Sequence, residues 1–409
     1  MGVNIINRQG STILENVLAP TQAPTQASTI TVTNTNDSGP GSLREAIATA
    51  VAGSIIVFSN AILPATITLT SGPITIDKTL TINGPGSDRL IISGSNNRIF
   101  VISGATTVVT ITGITFENGF NSGPGGAILN QGATLDVIRC TFSNNSSDSF
   151  GGAIANIASG NVNISNSTFS QNNSGSYGGA IANGAVAGET GTVTITRTTF
   201  FNNHGSFSGA IGNAFGTVNL SNSMLDLNSA DNNGGAFAND GLANITNTMF
   251  SNNSAGNNGG AFANDGLANI SNTTFSNNSA TNNGGAIANI NSGSISITNS
   301  TLSGNTATNG GAIANSDSAT ITIDRSTFSN NSATNNGGAI ANIGSGTVTI
   351  SRSTFSNNSA GNSGGAIANI DAGTIAISRS TFTSNTAPNG ETTANLDGGT
   401  IIITSSTIA

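Results

Sequence analysis

Residues 337–363 read GGAIANIGSGTVTISRSTFSNNSAGNS, and this stretch decides the fold. Ile340 lies between alanines, Val348 and Ile350 alternate with threonines, and Phe355 follows after a short interval. Alternation with a period of two is typical of strands and excludes a helical solenoid. The stretch therefore predicts three short strands separated by turns of Asn, Gly and Ser.

Two motifs of this stretch recur in fixed register. Gly-Gly-Ala-Ile or a close variant begins at positions 125, 151, 178, 208, 234, 259, 284, 310, 337 and 364, with a degraded copy at Gly390. A Phe/Leu-x-x-Asn motif keeps the same phase and begins at Phe142, Phe169, Phe200, Leu225, Phe250, Phe275, Leu302, Phe328, Phe355 and Phe382. One turn of three strands in each repeat predicts a parallel β-helix, in which every coil pairs with the next.

The predicted fold class is all-β, a right-handed single-stranded parallel β-helix of about 14–15 coils. At the strand spacing of about 4.8 Å this gives a rod of roughly 70 Å. Inward-facing Ile340, Val348, Ile350 and Phe355 should stack on their equivalents in neighbouring coils. The asparagines of both motifs fall at corners, where stacked amides can bond along the axis.

The chain divides into three predicted parts. Residues 1–29 read as a flexible leader or linker, 30–120 as an N-terminal cap with irregular coils, and 121–409 as the regular repeats. In the second part Ser42 and Glu45 form a capping box, which predicts one short helix from about 43 to 52 that plugs the open first coil. The sequence stops in mid-coil at 401–409, so we expect either a truncated C-terminus or a last coil that docks on something else.

The composition limits the kinds of partner and of cellular location that the chain can have. Only 7% of residues are charged, the net charge is −8, and Lys and Arg do not cluster, which argues against nucleic acid as a partner. No apolar stretch is long enough for a membrane-spanning helix, and the first twenty residues show no secretory signal. The single Cys140 takes the place of Ser or Thr in other coils, which favours a small buried thiol.

The paired repeats resemble the polymorphic outer membrane protein repeats of chlamydial surface autotransporters. The segment Asp37–Ala46 is similar to the CSLREA-type motif that opens many bacterial surface β-helix proteins, with Gly41 where that motif usually has Cys. The resemblance covers roughly 30–395 and implies an exposed passenger implicated in adhesion, at the cell surface or outside the cell. The family's C-terminal translocating barrel and export signal are absent from these residues, so this location follows from the resemblance alone.

Catalytic chemistry finds little support in the sequence. Glycoside hydrolysis needs two carboxylates that flank a cleft, and the best aligned acids, Asp240 and Asp265, also read as solvated turn residues. Sugar clefts use exposed aromatic rings, but the chain has no Trp and one tyrosine, Tyr177. His204 is a lone turn histidine, and the calcium-binding nonapeptide repeat is not matched. We therefore predict no catalytic residues, no metal and no cofactor.

Two surface features could bind a partner. Arg325, Arg352 and Arg379 repeat three residues before a phenylalanine, so their guanidiniums should stack at one corner and could grip an anionic glycan or lipopolysaccharide; solvated corner residues are the alternative. If the isoleucines point inward, the flanking alanines point outward as an apolar strip, for which we expect lateral self-association. This alanine strip comprises Ala153, Ala155, Ala180, Ala182, Ala286, Ala288, Ala312, Ala314, Ala339, Ala341, Ala366 and Ala368.

Three functions remain open at this stage. The first is a non-catalytic surface or secreted β-helix that acts as a structural or adhesive passenger, with a host-surface protein or glycan as partner. The second is a carbohydrate-active enzyme, a polysaccharide lyase or hydrolase, on a pectate-lyase-like β-helix. The third is an ice- or crystal-binding face of paired threonines such as Thr320 and Thr322, an array that Asn161 and Asn163 interrupt.

Overall fold

The computed structural model describes residues 26–184 and 188–409, and the following account concerns these residues. They form an all-β, right-handed parallel solenoid of about 14 turns, with one short α-helix. The predicted fold class is therefore confirmed. Most of the predicted leader, residues 1–25, lies outside the described residues.

Each regular coil crosses four sheets, one more than predicted. In chain order a coil passes through strands that we name after their common residues: the isoleucine, threonine, phenylalanine and serine sheets. The serine sheet was missed because most of its strands are two residues long, which is too short for alternation to be read from sequence.

The threonine sheet has 15 strands, in which inward apolar residues, mostly Val, Ile or Leu, alternate with outward residues that are mostly Thr, Ser or Asn. Its strands are Thr29–Val32, Ser54–Phe58, Leu80–Asn83, Val108–Thr112, Thr134–Ile138, Asn161–Ser165, Thr192–Thr196, Thr217–Ser221, Leu242–Thr246, Leu267–Ser271, Ser294–Thr298, Thr320–Asp324, Thr347–Ser351, Thr374–Ser378 and Thr400–Thr404.

The phenylalanine sheet has 14 strands, and the central residue of each regular strand points inward. Its strands are Ala65–Thr68, Leu90–Ser93, Thr115–Glu117, Thr141–Ser143, Thr168–Ser170, Thr199–Phe201, Met224–Asp226, Met249–Ser251, Thr274–Ser276, Thr301–Ser303, Thr327–Ser329, Thr354–Ser356, Thr381–Thr383 and Thr407–Ile408.

The serine and isoleucine sheets close the coil. The ten serine-sheet strands are Phe120–Asn121, Ser146–Ser147, Asn173–Ser174, His204–Gly205, Ser229–Ala230, Ser254–Ala255, Ser279–Ala280, Thr306–Asn309, Ser332–Asn336 and Ser359–Ala360. The 13 isoleucine-sheet strands are Ile74–Ile76, Phe100–Ser103, Ile128–Gln131, Ile154–Ile157, Ile181–Asn183, Ile211–Asn213, Phe237–Asn239, Phe262–Asn264, Ile287–Asn289, Ile313–Asp317, Ile340–Gly344, Ile367–Ile370 and Thr393–Asn395.

A short helix, Leu43–Thr49, covers the N-terminal coil and is shorter than the predicted 43–52. Its inner side buries Leu43 and Ile47, and the chain leaves the helix at Ala50 to enter the threonine sheet at Ser54. The Ser42 hydroxyl accepts from the Glu45 N–H, as a capping box requires, but the Glu45 carboxylate accepts from the N–H of Gly41. The box is therefore offset by one residue. A 3₁₀ turn follows at Asn60–Ile62.

The same segment is fastened to the next turn of chain by a half-buried ion pair between Asp37 and Arg44 and by the hydrogen bonds around it. The Asp37 carboxylate accepts from Arg44 Nη2 at 2.7 Å and from the N–H groups of Ser71 at 2.7 Å and Thr70 at 3.0 Å. Although burial alone raises the pKa of Asp37, the bonds from Ser71, Arg44 and Thr70 outweigh it and hold this pKa well below its usual range. The segment that resembles the CSLREA-type motif thus forms the cap, and its membership of that motif stays a prediction.

The phenylalanine column fills the core as predicted. Ile340, Val348, Ile350 and Phe355 are fully buried. Phe355 stacks on Phe382 with ring centroids 4.8 Å apart and an interplanar angle of 10°. Stacked, desolvated rings contribute both buried area and a direct ring–ring attraction.

We predict that Phe355→Ala destabilises its coil and the two adjacent coils by about 3–5 kcal/mol, because a cavity opens between the flanking rings. Native-state hydrogen exchange of the amides around 325–385 measures this loss. The control is Phe201→Ser. It replaces a side chain that is 40% exposed with the serine found in most equivalent strands, so it should change the free energy of unfolding by less than about 0.5 kcal/mol. Equal losses for the two variants would contradict the packed column.

The alanine strip is not on the surface, so the predicted lateral packing along it is wrong. Every alanine of the strip is at most 3% exposed. The Gly-Gly turn that enters each isoleucine strand folds back over the outer side of the sheet: a Cβ at Gly337 would collide with the carbonyl of Ile340. At Gly212, which takes the alanine position in its coil, an added Cβ would lie 3.0 Å from Tyr177 Cβ and from the Gly178 nitrogen. The alanines are small because this turn lies on them.

Ala341→Glu should therefore disrupt the fold rather than reduce self-association. Burial of an unpaired carboxylate beneath the turn costs several kcal/mol. We expect loss of protected amides in the coils around Ala341 in hydrogen exchange. Thr349→Glu, an outward change on the threonine sheet, is the matched control. A folded, fully protected Ala341→Glu variant would show that this residue does face solvent.

Candidate functional site

The arginine column, Arg325, Arg352 and Arg379, lies where it was predicted. The three residues occupy one corner between the threonine and phenylalanine sheets in consecutive coils, with left-handed φ values of 48–49°. Asn or Arg holds this corner in most other regular coils. Short polar side chains tolerate left-handed backbone best, which explains the asparagines.

Asp324 pairs with two of the three arginines of this column. Its carboxylate lies 3.1 Å from Arg325 Nη1 and 2.6 Å from Arg352 Nη2. The hydrogen bond from Arg352 lowers the pKa of Asp324. Arg379 has no carboxylate partner among the described residues. Both ion pairs lie at the surface and contribute little to the stability of the fold. Because Asp324 already occupies two of the three guanidiniums, anion binding by the column stays a prediction.

A second cluster joins Tyr177, Phe207, Asp240 and Asp265, which we call the tyrosine cluster. Asn239 and Asn264 pair in register, so the aspartates that follow them lie in adjacent coils at the corner between the isoleucine and threonine sheets. Tyr177 lies in the Gly-Gly turn, and its ring stacks on Phe207 at 5.3 Å and 10°. From there the tyrosine hydroxyl interacts with Asp240.

The cluster shifts two ionisations. Burial, with the neighbouring Asp265 charge, raises the pKa of Asp240 to about 6, while the bond from Tyr177 opposes this shift. Burial, with Asp240, raises the pKa of Tyr177 to about 12. Although Asp240 as a whole residue is exposed, its carboxyl group is partly desolvated, and solvent screens part of its interaction with the Asp265 charge. Asp265 accepts from Asn291 Nδ2 at 2.7 Å.

Chemically, the cluster pairs a carboxyl that is easily protonated with a neighbouring carboxylate. Such pairs supply the acid and the base or nucleophile of glycosidases when a substrate lies between them. The repeat spacing aligns the two aspartates, but it does not indicate that Tyr177, which lies 63 residues before Asp240, joins them. The one indication in the sequence that a large side chain lies here is Gly212, which replaces the usual alanine and whose missing Cβ leaves room for Tyr177.

Cys140 lies in the core and the His204 side chain lies at the surface, as predicted, but His204 belongs to a short strand of the serine sheet and not to a turn. His204 Nδ1 lies 3.0 Å from Ser229 Oγ, and its Nε2 lies 3.5 Å from Asp231 Oδ1, with both the imidazole and the aspartate largely exposed. Cys140 is buried, and burial raises the pKa of its thiol to about 11, which makes it unreactive.

Among residues 26–184 and 188–409, no three His, Cys, Asp or Glu side chains meet as metal ligands would. No helix in this same part of the chain is long and apolar enough to cross a membrane.

The carboxyl of Asp240 should titrate with a midpoint clearly above its ordinary value of 3.8 in a carbon-13 NMR titration. Because the folded chain then binds this proton more tightly than the unfolded chain, the carboxyl's contribution to stability falls as pH rises from about 4 to 6. Asp240→Asn should remove this slope. Tyr177→Phe should move the midpoint further up, because the tyrosine bond lowers it. A midpoint near 3.8 for Asp240, both in the unchanged protein and in Tyr177→Phe, would contradict the described cluster.

The sequence matches the model of the Chlamydia polymorphic membrane protein repeat at residues 139–157, 272–290, 325–343 and 352–370. Each match begins at the left-handed corner, passes the Phe-x-x-Asn motif and ends in the next isoleucine strand or one residue after it. No curated protein matches the chain in sequence.

Solved structures with a similar fold have distant sequences. The catalytic unit of a GH87 α-1,3-glucanase from Streptomyces thermodiastaticus strain HF3-3 is 14% identical, with a TM-score of 0.49 over 92% of this chain and 69% of that one. Tailspike protein 3 of bacteriophage CBA120 is 13% identical, with a TM-score of 0.46 over 88% and 57%. PfbA, a surface adhesin of Streptococcus pneumoniae, is 13% identical, with a TM-score of 0.40 over 88% of each chain.

The repeat match and the coil geometry agree, since the four matched segments contain the phenylalanines and asparagines that stack inside the rod. This chain is a β-helix that carries the Chlamydia polymorphic membrane protein repeat.

Proposed function

We propose that this chain is the exposed rod of a bacterial cell-surface or secreted protein, with a structural and adhesive role and without catalysis. The observation that carries the proposal is the polymorphic membrane protein repeat at four places. The repeat residues are those buried in the columns, while the outward residues differ from coil to coil. In the threonine sheet, for example, Asn269, Ser296, Thr322, Thr349 and Ala376 succeed one another in one outward column.

Such a division suits a passenger that presents binding surfaces. A solenoid tolerates outward changes because each coil depends only on its neighbours through the buried columns. The partner we propose is a host-surface protein or a glycan, met along the outside of the rod.

Surface display tests the first half of the proposal. An antibody raised against folded residues 26–409 should label intact cells that produce the full-length protein. Labelling that requires permeabilised cells would contradict it.

Adhesion tests the second half. Beads coated with the folded rod should attach to host cells more than beads coated with Ala341→Glu protein, which has almost the same composition but a disrupted fold. Equal attachment of the two kinds of beads would contradict a role for the folded surface.

One observation favours a second candidate, a carbohydrate-active enzyme: the raised pKa of Asp240 beside Asp265 in the tyrosine cluster. Release of reducing ends from soluble polysaccharides measures this activity. Under the first proposal none is released. Release that both Asp240→Asn and Asp265→Asn abolish would replace the first proposal with the second.

A further inference from the structure

A groove of about 660 Å³ runs along the axis at the corner between the threonine and phenylalanine sheets. It spans four consecutive coils, which at a rise of about 4.8 Å per coil places its ends about 14 Å apart. Its main lining residues are Arg197, Asn222, Asn247, Asn272, Met224 and Met249.

One side of the groove is a column of unused amides. Asn222, Asn247 and Asn272 hold the left-handed corner with φ of 49–51°, are exposed, and make no side-chain hydrogen bond with any described residue. On the adjacent threonine face the amides bond to each other instead: Asn244 Nδ2 donates to Asn219 Oδ1 at 2.9 Å. The groove column therefore offers a free donor and a free acceptor at three of the four coils.

The other side of the groove is apolar at its centre. Met224 and Met249 point outward in consecutive coils, where the flanking coils have Thr199 and Thr274. Met249 is 39% exposed. They are the only methionines after Met1. Methionine is flexible and polarizable, so it adapts to the irregular apolar side of a ligand.

Arg197 lies at one end of the groove. Its Nε donates to Asn166 Oδ1 at 3.0 Å, which orients the guanidinium. Its two Nη groups make no bond within the described residues, so they are free to donate.

We propose that this groove binds a linear polysaccharide, with one sugar unit on each coil. An extended peptide advances about 3.3 Å per residue, which does not match a rise of about 4.8 Å per coil. A pyranose unit of an extended 1,4-linked chain advances by nearly one coil rise. The hydroxyls on the edge of each sugar ring can form hydrogen bonds with the asparagine amides. The C–H groups on the face of the ring can pack against the methionines.

The bound chain is held and not cleaved in this groove. No carboxylate lines it. Asp226, on the same strand as Met224, is engaged by Ser251 Oγ at 2.6 Å and Asn252 Nδ2 at 2.8 Å. Asp240 and Asp265 lie at the opposite edge of the threonine sheet. The inference deepens the proposed function and rests on its glycan partner, for which it names the class, but the groove's chemistry does not depend on where the rod is displayed.

Isothermal titration of the full chain with 1,4-linked gluco-, xylo- and manno-oligosaccharides of two to six units tests the proposal. At least one series should bind, with affinity that rises up to about four units and then levels, since the groove spans four coils. Asn222→Gly with Asn247→Gly should weaken binding by about tenfold or more through the lost hydrogen bonds. Met224→Thr with Met249→Thr should also weaken it several-fold.

We expect these variants to keep the fold. Glycine adopts positive φ without strain, and Gly304 already holds a left-handed corner with φ of 67°. Threonine is what the neighbouring coils carry at the methionine position. The matched control is Asn330→Gly with Asn357→Gly at the corner between the phenylalanine and serine sheets, which should bind like the unchanged protein.

Two results would overturn the proposal. One is that none of the three series binds, and the other is that the groove variants bind as tightly as the control variant. Neither result bears on surface display, and failure of surface display leaves this binding test unaffected.

Discussion

The structure depends on hydrogen bonding between identical buried amides of successive coils. Asn358 shows the arrangement: its Nδ2 donates to Asn385 Oδ1 at 2.9 Å and to the Phe328 carbonyl at 3.0 Å, and its Oδ1 accepts from the backbone N–H and Nδ2 of Asn331. Every donor and acceptor of a fully buried amide is thus satisfied, but only if the next coil lies in register. A second column repeats the bond from amide to amide at the end of the isoleucine sheet, where Asn342 Nδ2 donates to Asn369 Oδ1 at 2.8 Å.

These two columns explain why coil length can vary while the core does not. The sequence places extra residues between Asn183 and Thr192, yet Asn183 Nδ2 still donates to Asn213 Oδ1 at 2.9 Å. In the phenylalanine column, Leu225 replaces phenylalanine in one coil and is as fully buried as its neighbours. Register is fixed at the amides, so outward residues are free to differ, which is the property that a surface rod needs. The groove is one product of that freedom, because its methionines and unused amides occur only in outward positions.

The fold was predictable from sequence because alternation and period are local signals. The phenylalanine and asparagine motifs gave the core and the corners at the right residues. The prediction of an exposed alanine strip was wrong because the alanines are covered by a turn that folds back over the sheet. Strand alternation does not reveal this turn. The contact of Tyr177 with Asp240 was missed because it joins residues of non-adjacent coils. The groove had a readable signal, since Met224 and Met249 replace threonine in one column, but its width depends on the corner geometry.

A double-mutant cycle on Asn331 and Asn358 tests the central claim most directly. Native-state hydrogen exchange in the coils around them gives the free energy of opening for Asn331→Ala, Asn358→Ala and the double variant. The amides bond to each other, so the two losses should be coupled by at least about 1 kcal/mol, whereas the distant pair Asn228 and Asn358 should be additive. Losses at Asn331 and Asn358 that add within about 0.3–0.5 kcal/mol would contradict the account, because the coils would then be held in register by something other than their stacked amides.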